Sequence, residues 1–133
     1  MNFVVLNLKN TAGKVISHNV YWLSDNGDFK SLNEMPKTTM DIKVLSSIKG
    51  KDATSWTVQI TNPTQKLAFF IRPQLMAGGE EILPSYWTSA YFTLAPFETI
   101  TVSVSCPAIK ITGKKPIITV SGWNVIQQDV KIN

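Results

Sequence analysis

Two runs of residues alternate with a period of two, and they limit the possible folds more than any other feature of the chain. Trp56, Val58 and Ile60 alternate with Thr57, Gln59 and Thr61; Ile100, Val102 and Val104 alternate with Thr101, Ser103 and Ser105. Neighbouring side chains on a strand point to opposite faces, so each run reads as a strand with one apolar and one wet face. Six further strands rich in β-branched and aromatic residues are expected at 3–8, 20–23, 40–45, 67–71, 117–120 and 125–132. Turn residues separate them at Ala12-Gly13, Asn26-Gly27, Lys49-Gly50-Lys51, Asn62-Pro63, Ala77-Gly78-Gly79 and Thr112-Gly113-Lys114. Short strands at this spacing predict an all-β chain, an immunoglobulin-like antiparallel β-sandwich. The only helical turn expected spans residues 28–35 and is stopped by Pro36.

At 133 residues the chain reads as one domain, 1–133, with no linker, repeat or low-complexity tract. Its longest segments without regular pattern are 74–86 and 105–116. The first is either a binding loop at the end of the sandwich or a plain connection between sheets. A net charge of +4 comes from scattered lysines whose densest clusters are Lys49 with Lys51 and Lys114 with Lys115. That pattern reads as a solvated surface, so neither nucleic acid nor membrane is expected as a partner. No apolar run reaches the roughly 18 to 20 residues of a membrane helix, and the residues after Met1 lack the basic start of a signal peptide. If the chain was cut from a longer exported protein, Met1 is a scar of expression.

The residue sets that perform chemistry are missing. Glycoside hydrolysis uses two carboxyl groups about 5 to 10 Å apart. Glu80 and Glu81 are adjacent, so on a strand they point to opposite faces. Asp25 and Asp28 bracket the Asn26-Gly27 turn, where carboxylates bond to local backbone amides. His18 has no nucleophile elbow to serve and reads as a surface or capping residue. Cys106 continues the apolar face of Ile100, Val102 and Val104 and reads as a buried, inert thiol. One histidine and one cysteine make no metal set, and Gly78-Gly79 lacks the ending of a phosphate loop. The expectation is therefore no catalytic residue, no metal and no cofactor, and a chain that is not an enzyme on its own.

Aromatic residues remain as candidates, because sugar rings present flat apolar faces that stack on Trp and Tyr. Trp22 and Trp56 lie inside strand patterns and, with Trp123, are assigned to packing. Trp87, flanked by Tyr86 and Thr88 on a loop opened by Pro84 and followed by Tyr91 and Phe92, suits either an exposed contact or the core. The candidate carbohydrate or interdomain contact is therefore Trp87, Tyr86 and Tyr91.

Several of these words occur together in one family. Asn62-Pro63, Ala68-Phe69-Phe70, Leu83-Pro84 with Trp87, and Tyr91-Phe92-Thr93-Leu94-Ala95-Pro96-Phe97-Glu98 follow one another, with Asn19-Val20-Tyr21-Trp22-Leu23-Ser24 upstream and Ser121-Gly122-Trp123-Asn124 downstream. This order resembles the C-terminal immunoglobulin-like domain of family-two glycoside hydrolases of the β-mannosidase and exo-β-glucosaminidase type, and the resemblance spans nearly the whole chain. It implies a noncatalytic accessory domain, excised from a larger enzyme, that packs on a catalytic barrel holding the carboxylates. The implied partners are the parent's other domains and carbohydrate at the rim of the sugar site, and the implied parent is exported, periplasmic or extracellular. The alternative reading is an autonomous carbohydrate-binding or adhesion module. Two departures stand out. Ser89-Ala90 replaces the family's Asp-Asn pair, so any polar contact of that pair is not carried over, and Phe97 replaces the glycine of the Pro-Gly-Glu corner.

Overall fold

Strand pairing turns the alternating runs into a layered core. In the computed structural model, which describes residues 1–132, the strands are β1 (Asn2–Lys9), β2 (Val15–Leu23), β3 (Asp41–Lys49), β4 (Ala53–Thr61), β5 (Ala68–Ala77), β6 (Glu80–Glu81), β7 (Tyr86–Trp87), β8 (Phe92–Leu94), β9 (Thr99–Pro107), β10 (Ile117–Ser121) and β11 (Gln128–Lys131). They fall into two compact units, residues 1–36 and the part from Lys37 onward.

The second unit contains two antiparallel sheets. One has the order β3-β4-β9-β7; the other runs β11-β10-β5-β6, with β8 also paired to β5. Residues directly opposite each other share a face, and the pairs Trp56–Val104, Val58–Val102 and Ile60–Ile100 carry the apolar face of the first sheet. Ile71, Leu75, Ile118 and Val120 supply the facing layer, and all join one buried cluster with Cys106, Leu94 and Ile132. Each fully buried side chain of this size contributes about 1.5–3 kcal/mol. The wet face is tied separately by Thr57 and Ser103 hydroxyls 3.1 Å apart and by Thr61 and Thr99 at 2.8 Å. The immunoglobulin-like sandwich expected from the alternation is the fold observed.

The first unit is the β1–β2 hairpin, paired from Asn2–Leu23 to Lys9–Val15 with a bulge near its tip, followed by a 3₁₀ turn at Lys30–Glu34. The Asn10 side chain accepts from the amides of Ala12 and Lys14, which closes the hairpin turn.

Several boundaries differ from the sequence expectation. β5 runs through Pro73 to Ala77, although proline has no amide to give a ladder. Its partner on one side is β8 only at Ala68 and Ile71, and β6 only at Met76 and Ala77, so Pro73 falls where that flank has no strand. Strand β11 covers only Gln128–Lys131, and Val125 instead forms an isolated bridge to Thr38. Trp22 and Trp123, assigned to packing, are both substantially exposed, whereas Trp56 is 1% exposed at the centre of the core. The reason is pairing: Trp56 lies opposite Val104 on the inner face of a four-stranded sheet, while Trp22 belongs to a two-stranded hairpin.

Candidate functional site

The recurring words of the sequence are, first of all, staples. The Asn62 side chain is wholly buried, and its amide donates to the carbonyls of Lys66 at 2.6 Å, Ala95 at 3.1 Å and Leu94 at 3.3 Å. Its Oδ1 accepts from the Thr64 hydroxyl at 2.9 Å. Asn124, equally buried, accepts from the Phe69 amide and donates to the Leu67 carbonyl, both at 2.8 Å. Gly122 lets the segment after β10 approach β5, since a Cβ there would stand 3.0 Å from the Phe69 carbonyl oxygen. At the corner, the Glu98 carboxylate accepts from the Ala95 amide at 2.8 Å and the Glu98 carbonyl accepts from the Asn62 amide at 2.9 Å. Buried polar groups paired in this way fix one geometry, because leaving any of them unpaired costs about 1–3 kcal/mol. These residues hold the start of β5 and the end of β8 in place.

What they hold is an aromatic cluster. Between Ala68–Leu94 and Ile71–Phe92 the register of β5 and β8 slips by one residue, a bulge that leaves Phe70 at φ 56°. Tyr91, just before β8, has φ 57°. Left-handed backbone in an aromatic residue costs of order 1–3 kcal/mol and persists only where the surroundings impose it. The two strained residues meet: their rings are 5.0 Å apart at 45°, with Phe69 5.6 Å from Phe70 on the other side. The Arg72 guanidinium lies 5.9 Å from the centre of the Tyr91 ring and forms a 2.9 Å ion pair with Glu81. Tyr91 is 51% exposed, so this cluster presents an aromatic ring flanked by a paired charge.

The other two candidate residues lie elsewhere. β7 pairs with the edge of β9, Tyr86 opposite Ser105 and Trp87 opposite Val104. Parity therefore sends Tyr86 outward, where it is 64% exposed, and Trp87 inward against the core. The Trp87 Nε1 is buried with no hydrogen-bond partner among the described residues. Tyr91 and Tyr86 thus belong to different sheets. Sequence reasoning passed over Phe70 and Arg72, and weighed Glu81 only as a catalytic carboxylate beside Glu80.

Asp28, His18 and Cys106 occupy structural positions. Asp28 accepts from the Lys30 amide at 2.9 Å, and His18 Nδ1 lies 2.6 Å from Asn7 Oδ1. Cys106 is buried, and desolvation pushes its thiol above the ordinary value. Among the described residues no group of three His, Cys, Asp or Glu side chains is placed to hold a metal. No described helix is long and apolar enough to cross a membrane.

Fold and core together define an immunoglobulin-like β-sandwich module. Residues 19–125 match the family described as the exo-β-D-glucosaminidase Ig-fold domain, and the chain belongs to that family. It is 33% identical to an exo-β-D-glucosaminidase of Arthroderma benhamiae over 94% of this chain and 16% of that protein. It is 27% identical to the enzyme of that name from Amycolatopsis orientalis, over 92% of this chain and 14% of that protein. The crystal structure of the Amycolatopsis orientalis exo-chitosanase superposes with a TM-score of 0.87 at 26% identity, covering 98% of this chain and 18% of that one. The chain thus spans about a sixth of its relatives, and their catalytic residues lie outside the shared part.

Proposed function

We propose that the chain serves as the accessory module of an exo-β-D-glucosaminidase-type glycoside hydrolase, packing on the catalytic barrel and presenting Tyr91 at the rim of the sugar site. The observation that carries this reading is the extent of the match, 98% of this chain on 18% of a much longer exo-chitosanase. Its task is positioning, because small displacements at a catalytic constellation cost large factors in rate. Both compact units belong to this one accessory domain. Two features support docking. Tyr91 is an exposed aromatic held in a strained conformation by Phe70 and the Arg72–Glu81 pair, and a rigid aromatic is the commonest kind of interface anchor. The hairpin also exposes Leu6 and Leu8 on one face, apolar residues of the kind that mark interaction surfaces. Tyr86 is a second contact at the sandwich edge, and Trp87 supports it from the core side. The parent enzyme is exported, a reading that rests on the family resemblance.

The test combines two measurements. The isolated chain is expected to show no turnover of p-nitrophenyl β-D-glucosaminide, and to bind the remainder of its enzyme produced without it. Tyr91→Ala is expected to weaken that binding by roughly 10- to 30-fold. Turnover by the isolated chain that is lost on changing a single Asp or Glu would overturn the noncatalytic assignment. Glycan binding without affinity for the remainder would instead establish an autonomous adhesion module.

A further inference from the structure

At one end of the sandwich, away from the aromatic cluster around Tyr91, the two sheets part around a cavity of about 680 Å³. Its floor is apolar, with Trp56, Ile132, Ile117, Ile111 and Pro116 lining it; Trp56 and Ile132 also belong to the core. Its rim is cationic. Lys49 from the end of β3, Lys114 and Lys115 from the loop before β10, and Lys131 from the end of β11 all line it. No carboxylate of a described residue lines the cavity or forms an ion pair with any of these four lysines. Chain segments far apart in sequence therefore bring four like charges around one apolar recess. In an adjoining recess Glu80 stands beside Lys114 and Lys115, so the rim keeps a net positive charge that an anion entering the cavity would meet.

Size, lining and charge specify the ligand. A volume of this order is within the roughly 300–1,000 Å³ of small-molecule sites, which combine apolar walls with a few polar groups that fix orientation. A neutral apolar ligand would leave the lysines unused, and a free inorganic anion would leave the apolar floor uncovered. An amino sugar would bring its ammonium against four cations. We propose that this cavity is a binding site for a small organic anion with an apolar or aromatic body, its carboxylate or phosphate held by the lysine rim and its body seated against Trp56 and the isoleucines. The site is independent of the docking surface around Tyr91 and of the glycosidase reading. The scattered lysines that read in sequence as a solvated surface are, at this end, gathered by the fold into a rim.

The experiment uses the chain with isotope-labelled isoleucine methyl groups, titrated with 2-naphthoate and 2-naphthyl phosphate, and with 2-naphthalenemethanol and 2-naphthylmethylamine as neutral and cationic counterparts. The expected result is saturable shifts of Ile111, Ile117 and Ile132 with the two anions, weakened by added salt as a charge-driven contact must be. The neutral alcohol is expected to bind at least about tenfold more weakly and the amine not to bind. The carboxylate and phosphate arms decide which head group is preferred. Both lysines of the double variant Lys114→Glu, Lys115→Glu are exposed, so it is expected to keep the wild-type amide spectrum and lose at least about tenfold in affinity for the anions. Each of three results would overturn the site: no saturable shift up to about 5 mM, shifts centred on residues outside the cavity, or equal binding of the neutral alcohol with no loss in the lysine variant.

Discussion

The β1–β2 hairpin and the β4–β9 pair are both antiparallel ladders of eight or nine paired positions, yet they are stabilised differently. The β4–β9 pair alternates, buries every residue of its inner face except the partly buried Ile100, and lies between β3 and β7 in a sheet that another sheet covers. The hairpin carries apolar residues on both faces, with Phe3, Val5, Val20 and Trp22 on one and Val4, Leu6, Leu8, Tyr21 and Leu23 on the other, and none of its residues reaches full burial. Apolar content is therefore not what separates a core strand from an arm. Separation comes from whether the pattern lets one face be covered, because a two-stranded ribbon is marginal in water by itself.

Substitutions in the two regions can break that comparison. Trp56→Ala, which empties the centre of the sandwich, is expected to cost about 3–5 kcal/mol in chemical denaturation, whereas Leu8→Ala at the exposed hairpin tip should remain within about 0.5 kcal/mol. Comparable losses at the two positions would mean that the hairpin shares the core's cooperativity. Asn62→Ala removes the donor to three carbonyls at the β4 end of the sandwich and should destabilise by roughly 2–3 kcal/mol in the same measurement. A change under about 0.5 kcal/mol would show that water replaces the staple.

Smaller effects sharpen the picture. Phe97 holds φ 63° with its side chain 65% exposed, so Phe97→Gly relieves backbone strain and sacrifices little burial. A gain of about 0.5–1 kcal/mol in thermal unfolding is expected, and a loss would show that the ring covers more than its exposure indicates. Cys106 gives a pH test. Burial raises its folded pKa, so the unfolded thiol ionises first. Its contribution to stability is complete below the unfolded pKa and declines as pH rises past 9.0 toward the folded value. Cys106→Ala should flatten that alkaline decline, and an unchanged slope would assign it to other groups.

Much of this was legible in the sequence, for physical reasons that can be traced to residues. Period-two alternation identified β4 and β9 because burial on one face is a local property of the strand. The Asn62-Pro63, Gly122-Trp123-Asn124 and Pro96-Phe97-Glu98 words marked a family, and the structure shows why: they staple β5 and β8. Exposure of Trp22 and Trp123 was not legible: that of Trp22 depends on how many strands flank it, and Trp123 lies in the segment between β10 and β11. The Phe70 bulge, the Arg72–Glu81 pair and the lysine rim were hidden for a similar reason. Each is made by residues on different strands or loops, and only register decides that they meet.

Native-state hydrogen exchange on the isolated chain tests the central claim most directly, because it reads the stability of each ladder separately. The account predicts that the amides of β4 and β9 exchange only with global unfolding, whereas those of β1 and β2 exchange through a cheaper opening that leaves the sandwich folded. Equal protection in the hairpin and the sandwich, lost together at one denaturant concentration, would contradict it.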